Sequence, residues 1–481
     1  MRLGQISAIY TASKFLGSAI GFIATVYFAR VLGEDVLGQY ALVLALVTWL
    51  GIGGKVGFSG AIAKRISEGK EPEEFVGAGI VVMGSMMTLV AIFVAIFHEQ
   101  VNAYVGVPVA EFVILLLFVT LYKSFIGSAL KGNHLVHVYA LLSVLKQGVR
   151  AIAQVGLVAL VGLGLTGMLW GYVVSYLVLA TVGLYILGLR PALPSKRHIT
   201  SLFDYAKFSW LGSMRSRTFD TVDIALLGFF VTQGLIGIYS VAWSLSKFLD
   251  IFGSGISSTL FPEMSKLSAN DATNAVAGLT EDALSFAGLI LIPGLVGALV
   301  IGDRLMAIYG ESFVIGTEIL WILILALLVY AYNKQLLNTL NAIDRPDLAF
   351  RSNAVFIVVN VVMNAVLIYL FSWVGAAVAT AISAAIGSVV TYTYAKRHVP
   401  FGLPLAEIAR QWSAALVMGV LVYGIRSTLE DGFLAEFNAA FVVTLVAIGA
   451  GVYFLTLYFI SSTFRTTVSN NLPFDVPFMT R

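Results

Sequence analysis

From residue 7 to residue 461 the chain alternates apolar stretches of about twenty residues with short polar joints, and no other feature constrains the fold as tightly. Twenty apolar residues wound as a helix span about 30 Å, the hydrocarbon thickness of a bilayer. Read in windows of that length, the sequence holds about fourteen candidate crossings. They lie near 7–29, 36–56, 75–97, 108–130, 137–161, 166–188, 206–230, 235–258, 283–302, 313–333, 349–370, 374–395, 411–427 and 437–461. Runs such as 112–119 and 440–446 are continuously apolar, which favours helices over the alternating strands of a barrel. Of 481 residues 59% are hydrophobic and 11% charged, against about 25% charged in a soluble domain. A water-soluble fold is excluded, and so is disorder. The chain is expected to be an all-α integral membrane protein.

Lys and Arg in the joints set the expected orientation. Numbering sides alternately from Arg2, one side collects 18 of them and the other only Arg30, Arg304 and Arg426. Both termini are therefore expected in the cytoplasm, and the steep bias supports the span count. The start of the chain reads as a retained span, not a cleaved signal peptide. No joint is long enough for a soluble catalytic domain. The longest, 57–74 and 258–281, each contain a piece with helical potential that would lie along the interface.

Short matches recur at a near-constant offset. Leu37-Gly38-Gln39-Tyr40-Ala41 pairs with Ile236-Gly237-Ile238-Tyr239-Ser240, 199 residues on. Leu130-Lys131-Gly132-Asn133 pairs with Leu340-Asn341-Ala342-Ile343 at 210, and Gly167 with Gly375 at 208. Two halves of six spans each share one orientation, so the expected relation is a pseudo-two-fold axis along the membrane normal, as in transporters that rock two lobes. The expected divisions are a first lobe at 1–195, a second at 196–400, and two further helices with a cytoplasmic tail at 401–481. Recurrence of Gly-x-Tyr by composition alone is the competing explanation, given 46 Gly and 20 Tyr.

Eight cations fall within or at the edge of spans: Lys14, Lys55, Lys123, Lys146, Arg150, Arg215, Arg217 and Lys247. The carboxylates read as intramembrane are Asp220, Asp223 and Asp250. A buried charge costs at least about 2.5–3.5 kcal/mol at mid-bilayer, so it must pair, snorkel or line water. Lys55 and Lys123 lie near a cytoplasmic end, and Lys123 is expected to snorkel. Lys14 sits in a small and polar stripe, Ser7, Thr11, Lys14, Ser18, Gly21 and Thr25, that faces either a neighbouring helix or a wet cavity. Ser143, Gln147, Arg150 and Gln154 form a second stripe, with Lys146 one turn before Arg150. Arg150 stands about 20 Å from its span's cytoplasmic end, too deep to snorkel easily. Arg217 shares a side with Ser213 and Asp220, whereas Arg215 points elsewhere. Lys247 and Asp250, three apart, read equally well as a local ion pair. Asn353, Asn360 and Asn364 line one side of span eleven, where interhelical hydrogen bonding is the simplest expectation.

Cations drawn from several helices suit an anion, Arg through its fork of donors and Lys as a mobile charge. Lys14, Lys55, Arg150 and Arg217 are the leading candidates to hold a phosphate or diphosphate. Lys146, Arg215, Asp220, Asp223, Lys247 and Asp250 form a second tier, for additional contacts or cation coupling. Nothing points to an enzyme or a cofactor: there is no cysteine and no Gly-Lys-Ser/Thr phosphate loop, and the histidine pair His134/His137 has no acidic partner nearby. The acidic run Glu71-Pro72-Glu73-Glu74 reads as a solvated loop. A net charge of +3 gives no argument for nucleic acid.

Several motifs carry a family resemblance. Phe28-Ala29-Arg30-Val31-Leu32-Gly33, then Gly38-Gln39-Tyr40-Ala41, looks like the opening of the Wzx-like polysaccharide transporter family, within the multidrug/oligosaccharidyl-lipid/polysaccharide exporter superfamily. Gly237-Ile238-Tyr239-Ser240-Val241-Ala242, Leu260-Phe261-Pro262-Glu263-Met264 and the stretch Asn338–Pro346 are similar to later parts of that family. The resemblance implies a flippase that moves polyprenyl- or dolichyl-(di)phosphate-linked oligosaccharide to the outer leaflet by alternating access. It also implies a cationic cavity holding the phosphate link, with Lys14 and Lys55 close to where relatives place basic groups. Implied partners are the lipid-linked oligosaccharide, the bilayer, and glycosyltransferases, a polymerase or an oligosaccharyltransferase, with the protein monomeric in the plasma membrane. The rival readings are a cation-coupled multidrug or small-molecule antiporter dependent on Asp220, Asp223 or Asp250, a membrane glycosyltransferase or polymerase, and a non-transporting scaffold of a glycan-assembly complex.

Overall fold

A computed structural model describes the backbone of residues 3–55, 57–270, 272–430 and 432–471. Side chains are described there except at 3–16, 18, 55, 207–218, 251–254, 256–259, 434 and 470–471. Among the described residues every regular element is a helix. In chain order they are α1 (Leu3–Lys55), α2 (Phe58–Ser67), α3 (Pro72–Ile96), α4 (His98–Val105), α5 (Ala110–Gly132) and α6 (Val136–Ala159). Next come α7 (Gly164–Leu187), α8 (Lys196–Leu227), α9 (Gln233–Ala269), α10 (Thr273–Ala287), α11 (Leu291–Ala307) and α12 (Thr317–Ala342). The last are α13 (Pro346–His398), α14 (Leu405–Leu429), α15 (Phe433–Glu436), α16 (Asn438–Ile460) and α17 (Ser462–Asn471).

Ten of the described helical stretches are long and apolar enough to cross a membrane. Their outward faces confirm the reading of the composition: Ile152 is 76% exposed and Val420 72%, which only lipid makes favourable. α1 and α13 each run for 53 residues but hold one non-helical residue, Gly33 (φ 80°) and Ser372 (φ 56°). Each is thus two helices end to end, matching the expected windows on either side of the break. The windows near 206–230 and 235–258 are helical, within α8 and α9, but are not among the ten. α2 fills much of the 57–74 joint, and the 258–281 joint is mostly the end of α9 and the start of α10, so both carry the expected helical pieces.

Proline at the first turn starts α3 and α13, where its missing N–H costs nothing. The turn that ends α5 and the turn that ends α12 are built alike. His134 (φ 60°) and Asp344 (φ 55°) are left-handed residues 210 apart. Leu135 N–H donates to the Leu130 carbonyl at 2.8 Å and His134 N–H to that of Lys131 at 3.2 Å. Arg345 N–H donates to Leu340 at 2.9 Å and Asp344 N–H to Asn341 at 3.3 Å. Both are Schellman closures, satisfying the last carbonyls of each helix. The offset read from sequence therefore recurs in backbone geometry.

The chain forms two compact units, one of residues 1–241 with 364–373, the other of residues 242–363 with 374–481. In the first, α2, α3, α5, α7 and α8 enclose an apolar core around Phe58, Ile62, Phe125 and Leu130. α6 packs along α7, and α1 lies against α6. Where α4, α8 and the start of α9 meet, Tyr104 donates a hydrogen bond to the Ala225 carbonyl at 2.6 Å. Beside it α1 and α9 cross at Gly38 and Gly237. A Cβ on Gly38 would overlap the Gln233 carbonyl, and one on Gly237 would overlap that of Glu34. Each would also stand 3.0 Å from the other glycine's nitrogen, so the two matched glycines touch. In the second unit, Val276, Leu337, Leu348 and Phe401 form the core under α10, α12 and α13. There α14 is tied to α11 by Arg426, whose guanidinium binds Asp303 in bidentate fashion at 2.8 and 2.6 Å.

Candidate functional site

The polar stripe of α6 divides into structural and unsatisfied groups. Ser143 bonds back to the Tyr139 carbonyl at 2.8 Å. Gln154, buried, donates to the Tyr40 hydroxyl at 2.9 Å and the Met168 carbonyl at 2.7 Å, locking α6 to α1 and α7. Gln147 lies against α1, where a Cβ on Gly17 would stand 3.5 Å from its Cγ and one on Gly21 3.9 Å from its Nε2. At Gly21, with Gly17 beside the stripe, α1 thus packs against α6. Lys146 and Arg150 remain, both half-buried.

They meet a pair of tyrosines one turn apart on α7. Tyr172 and Tyr176 stack at 4.4 Å between ring centroids, 18° from parallel, and Tyr172 donates its hydroxyl proton to Tyr176 at 2.8 Å. The proton of the Tyr176 hydroxyl is left to donate elsewhere. Lys146 Nζ stands 4.8 Å from the Tyr176 centroid, and the Arg150 guanidinium 6.0 Å from that of Tyr172. Lys123 joins them from α5, its Nζ 5.5 Å from Tyr176 and 5.8 Å from Tyr139. Half-buried, it lies beside both rings. Among the described residues no carboxylate lies within ion-pair distance of Lys123, Lys146 or Arg150. A cation–π contact is worth about 0.5–2 kcal/mol, while a charge at membrane depth costs about 2.5–3.5 kcal/mol or more. The rings therefore offset only part of the cost, and water or an anion must supply the rest.

The other candidates fall in separate groups. Lys14, Lys55, Arg215 and Arg217 lie outside the described side chains. Asp220 is half-buried on α8. Asp223, buried, accepts from the Tyr239 hydroxyl at 2.6 Å and from Asn364 at 2.9 Å. Lys247 Nζ lies 5.6 Å from the Trp243 ring, and Asp250 is 3.9 Å from Lys334 Nζ. Asn360 donates to Thr380 at 3.3 Å, so Asn360 and Asn364 make the interhelical bonds expected of them. Sequence reasoning gave Lys123 only a snorkelling reading and did not single out the tyrosines 139, 172 and 176. The available signal was Tyr172 and Tyr176 four apart in an otherwise apolar span.

Glu71 is also no mere solvated residue. It binds Arg197, and accepts from His198 Nε2 at 3.0 Å. His198 Nδ1 in turn accepts from the Ser195 N–H at 3.1 Å, in a capping box at the start of α8. This joins the starts of α3 and α8.

The sequence profile of the family described as "Polysaccharide biosynthesis protein" matches residues 3–268. The Haloferax volcanii protein named "Probable flippase AglR" is 29% identical over 476 residues, 98% of each chain. "Probable low-salt glycan biosynthesis flippase Agl15" of the same organism is 27% identical over 91% of this chain and 92% of its own. Among solved structures, "Lipid II flippase MurJ, inward closed conformation" superposes with TM-score 0.79 at 17% identity, over 94% of this chain and 98% of that one. An inward-facing multidrug resistance MATE family transporter of the MOP superfamily superposes with TM-score 0.63 at 14% identity, over 81% of this chain and 97% of its own. Both structural likenesses concern the fold.

Proposed function

The chain belongs to the polysaccharide biosynthesis protein family, and from that premise we propose that it is a lipid-linked oligosaccharide flippase and not an enzyme. It moves polyprenyl- or dolichyl-(di)phosphate-linked oligosaccharide from the cytoplasmic to the outer leaflet, for cell-surface polysaccharide or glycoprotein assembly. The relatives named as flippases, matched along nearly their full length, support this reading. The observation that carries it is the group Lys123, Lys146 and Arg150 around stacked tyrosines, with no carboxylate among the described residues to neutralise it. Such a group is complementary to a phosphate link, while the lipid tail stays in the bilayer and the glycan occupies the polar interior.

The working arrangement is fourteen crossings, both termini cytoplasmic, in the plasma membrane. Lobes 1–195 and 196–400 rock about a pseudo-two-fold axis along the membrane normal, with 401–481 appended. Lys14, Lys55 and Arg217 share the phosphate-binding role with Arg150, and Arg215 and Lys247 are additional candidates. The protein acts as a monomer beside the glycosyltransferases, polymerase or oligosaccharyltransferase that make and use its cargo. The test is transport of a labelled polyprenyl-diphosphate oligosaccharide in proteoliposomes. Wild type should flip it, with Lys146→Ala and Arg150→Ala slowed at least about tenfold, one lost charge-assisted contact each. Wild type equal to empty liposomes would sink the reading.

The buried carboxylate Asp223, held by Tyr239 and Asn364, favours cation coupling as a second element, with Asp220 and Asp250 as secondary coupling candidates. Coupling also keeps the antiporter reading in play. Flipping that accelerates under an imposed sodium or proton gradient in wild type but not in Asp223→Asn supports it; equal rates in both reject it.

A further inference from the structure

Beyond the tyrosine pair, the cations continue toward one end of the helices in a regular order. Lys131 ends α5, exposed at the α5–α6 turn, and its Nζ stands 4.5 Å from the Tyr139 centroid. The other neighbour of that ring is Lys123, at 5.8 Å. Lys123 is shared in turn with Tyr176, which also carries Lys146, and the stack passes from Tyr176 to Tyr172 and Arg150. The order is Lys131, Tyr139, Lys123, Tyr176, Lys146, Arg150. It runs from the surface turn to a depth of about 20 Å along α6. None of the four cations meets a carboxylate among the described residues.

The matched turn at the end of α12 does without these groups. At the matching offsets of 210 and 208, Lys123 corresponds to Asn333, Lys131 to Asn341, Tyr139 to Ala349, Tyr172 to Thr380 and Tyr176 to Ala384. The same Schellman turn closes α12 with none of these groups. The matching positions lack these three rings and two charges although the turn is kept, so the turn itself does not call for them. Rings hold ammonium groups apart without neutralising them, which leaves each cation able to take an oxyanion and release it to the next.

We propose that Lys131, Tyr139, Lys123, Tyr176, Lys146 and Arg150 form a graded track that takes up the phosphate headgroup of a lipid at the α5–α6 turn and passes it inward to Arg150. The Tyr176 hydroxyl proton is the neutral donor that receives the headgroup between Lys123 and Lys146. Lys131 is an uptake residue, Lys123 a binding residue. The direction of travel rests on the flippase reading, but the binding itself does not.

The test uses the full chain in nanodiscs and labelled farnesyl diphosphate, with farnesol and inorganic pyrophosphate as competitors. Wild type should bind farnesyl diphosphate and ignore farnesol. Lys123→Gln and Tyr176→Leu should weaken equilibrium binding at least about tenfold, with Lys123→Arg retaining it. Lys131→Gln should slow association several-fold yet leave equilibrium affinity near wild type, and Lys131→Arg should restore the rate. Thermal unfolding of each variant separates lost binding from lost folding, and Tyr176→Phe, which keeps the ring, is the fallback where Tyr176→Leu does not fold. Binding unchanged in Lys123→Gln and Tyr176→Leu, or farnesol competing as well as the diphosphate, would overturn the track. Displacement by pyrophosphate at the same concentration as the lipid would overturn a lipid headgroup as the cargo. Wild type that binds through these residues but does not flip lipid in liposomes upholds the track and sinks the flippase. Wild type that flips lipid while Lys123→Gln and Tyr176→Leu bind normally does the reverse.

Discussion

Glu71 joins α3 to α8 through His198 and Arg197, and the bond from His198, with the charge of Arg197, holds its carboxyl below the ordinary 4.5. A depressed carboxyl stabilises the fold fully above its unfolded value, and that contribution fades as pH falls through the folded value. Glu71→Gln should therefore melt slightly below wild type at every pH from 7 to about 5, with the gap closing below 4.5. A gap that widens in acid would contradict the assignment. Sterics set a larger effect at Gly38, where an added methyl meets backbone. Gly38→Ala should lose about 1–3 kcal/mol of stability, whereas Gly84→Ala, with nothing within 4 Å, should not. Thermal unfolding of the two side by side decides it. Roles of single residues were the least legible part of the sequence. Depth along a helix singles out Arg150, with Lys146 one turn before it, whereas Lys123 lies near the end of its span, where depth gives no signal. Its neighbours are Tyr139 and Tyr176, two rings from other helices, and such partners are set by packing.

Helices and breaks were legible for local reasons. Each apolar window is long enough to be read alone, and Gly33 marks its own kink. Ser372 gives no such sign, because serine seldom adopts φ 56° and ψ −143°. Its counterpart 208 residues earlier is Gly164, also at positive φ, with no Cβ to strain. Ser372→Gly should gain about 1 kcal/mol and raise the melting temperature, and Gly164→Ser should lower it. A loss in Ser372→Gly would mean that the hydroxyl is needed more than the relief. α8 and α9 were the hardest spans to read, since their polar residues dilute the hydropathy on which window methods depend.

For the whole molecule, the lack of cysteine makes wetting directly measurable. Lys146→Cys should react with a membrane-impermeant maleimide, while Val420→Cys, on an exposed apolar face, should resist it. Equal protection of both would remove the water from the site. The membrane class, the helical architecture and the family were all readable from composition, window length and short motifs, because lipid imposes those on every segment. The cation arrangement was not, because it is assembled from α5, α6 and α7 by tertiary packing.

The contact of Gly38 with Gly237 has a bearing on ancestry. If two halves arose by duplication, a position that touches its own counterpart would sit on the axis relating them. Before duplication that contact would have joined one glycine to the same glycine of a second subunit, an isologous seam of a symmetric dimer. A single six-helix half could then have worked as a pair of identical subunits, both obliged to carry the same cations. Fusion would then have released one half from that obligation: Asn333, Asn341 and Ala384 stand 210, 210 and 208 residues after Lys123, Lys131 and Tyr176.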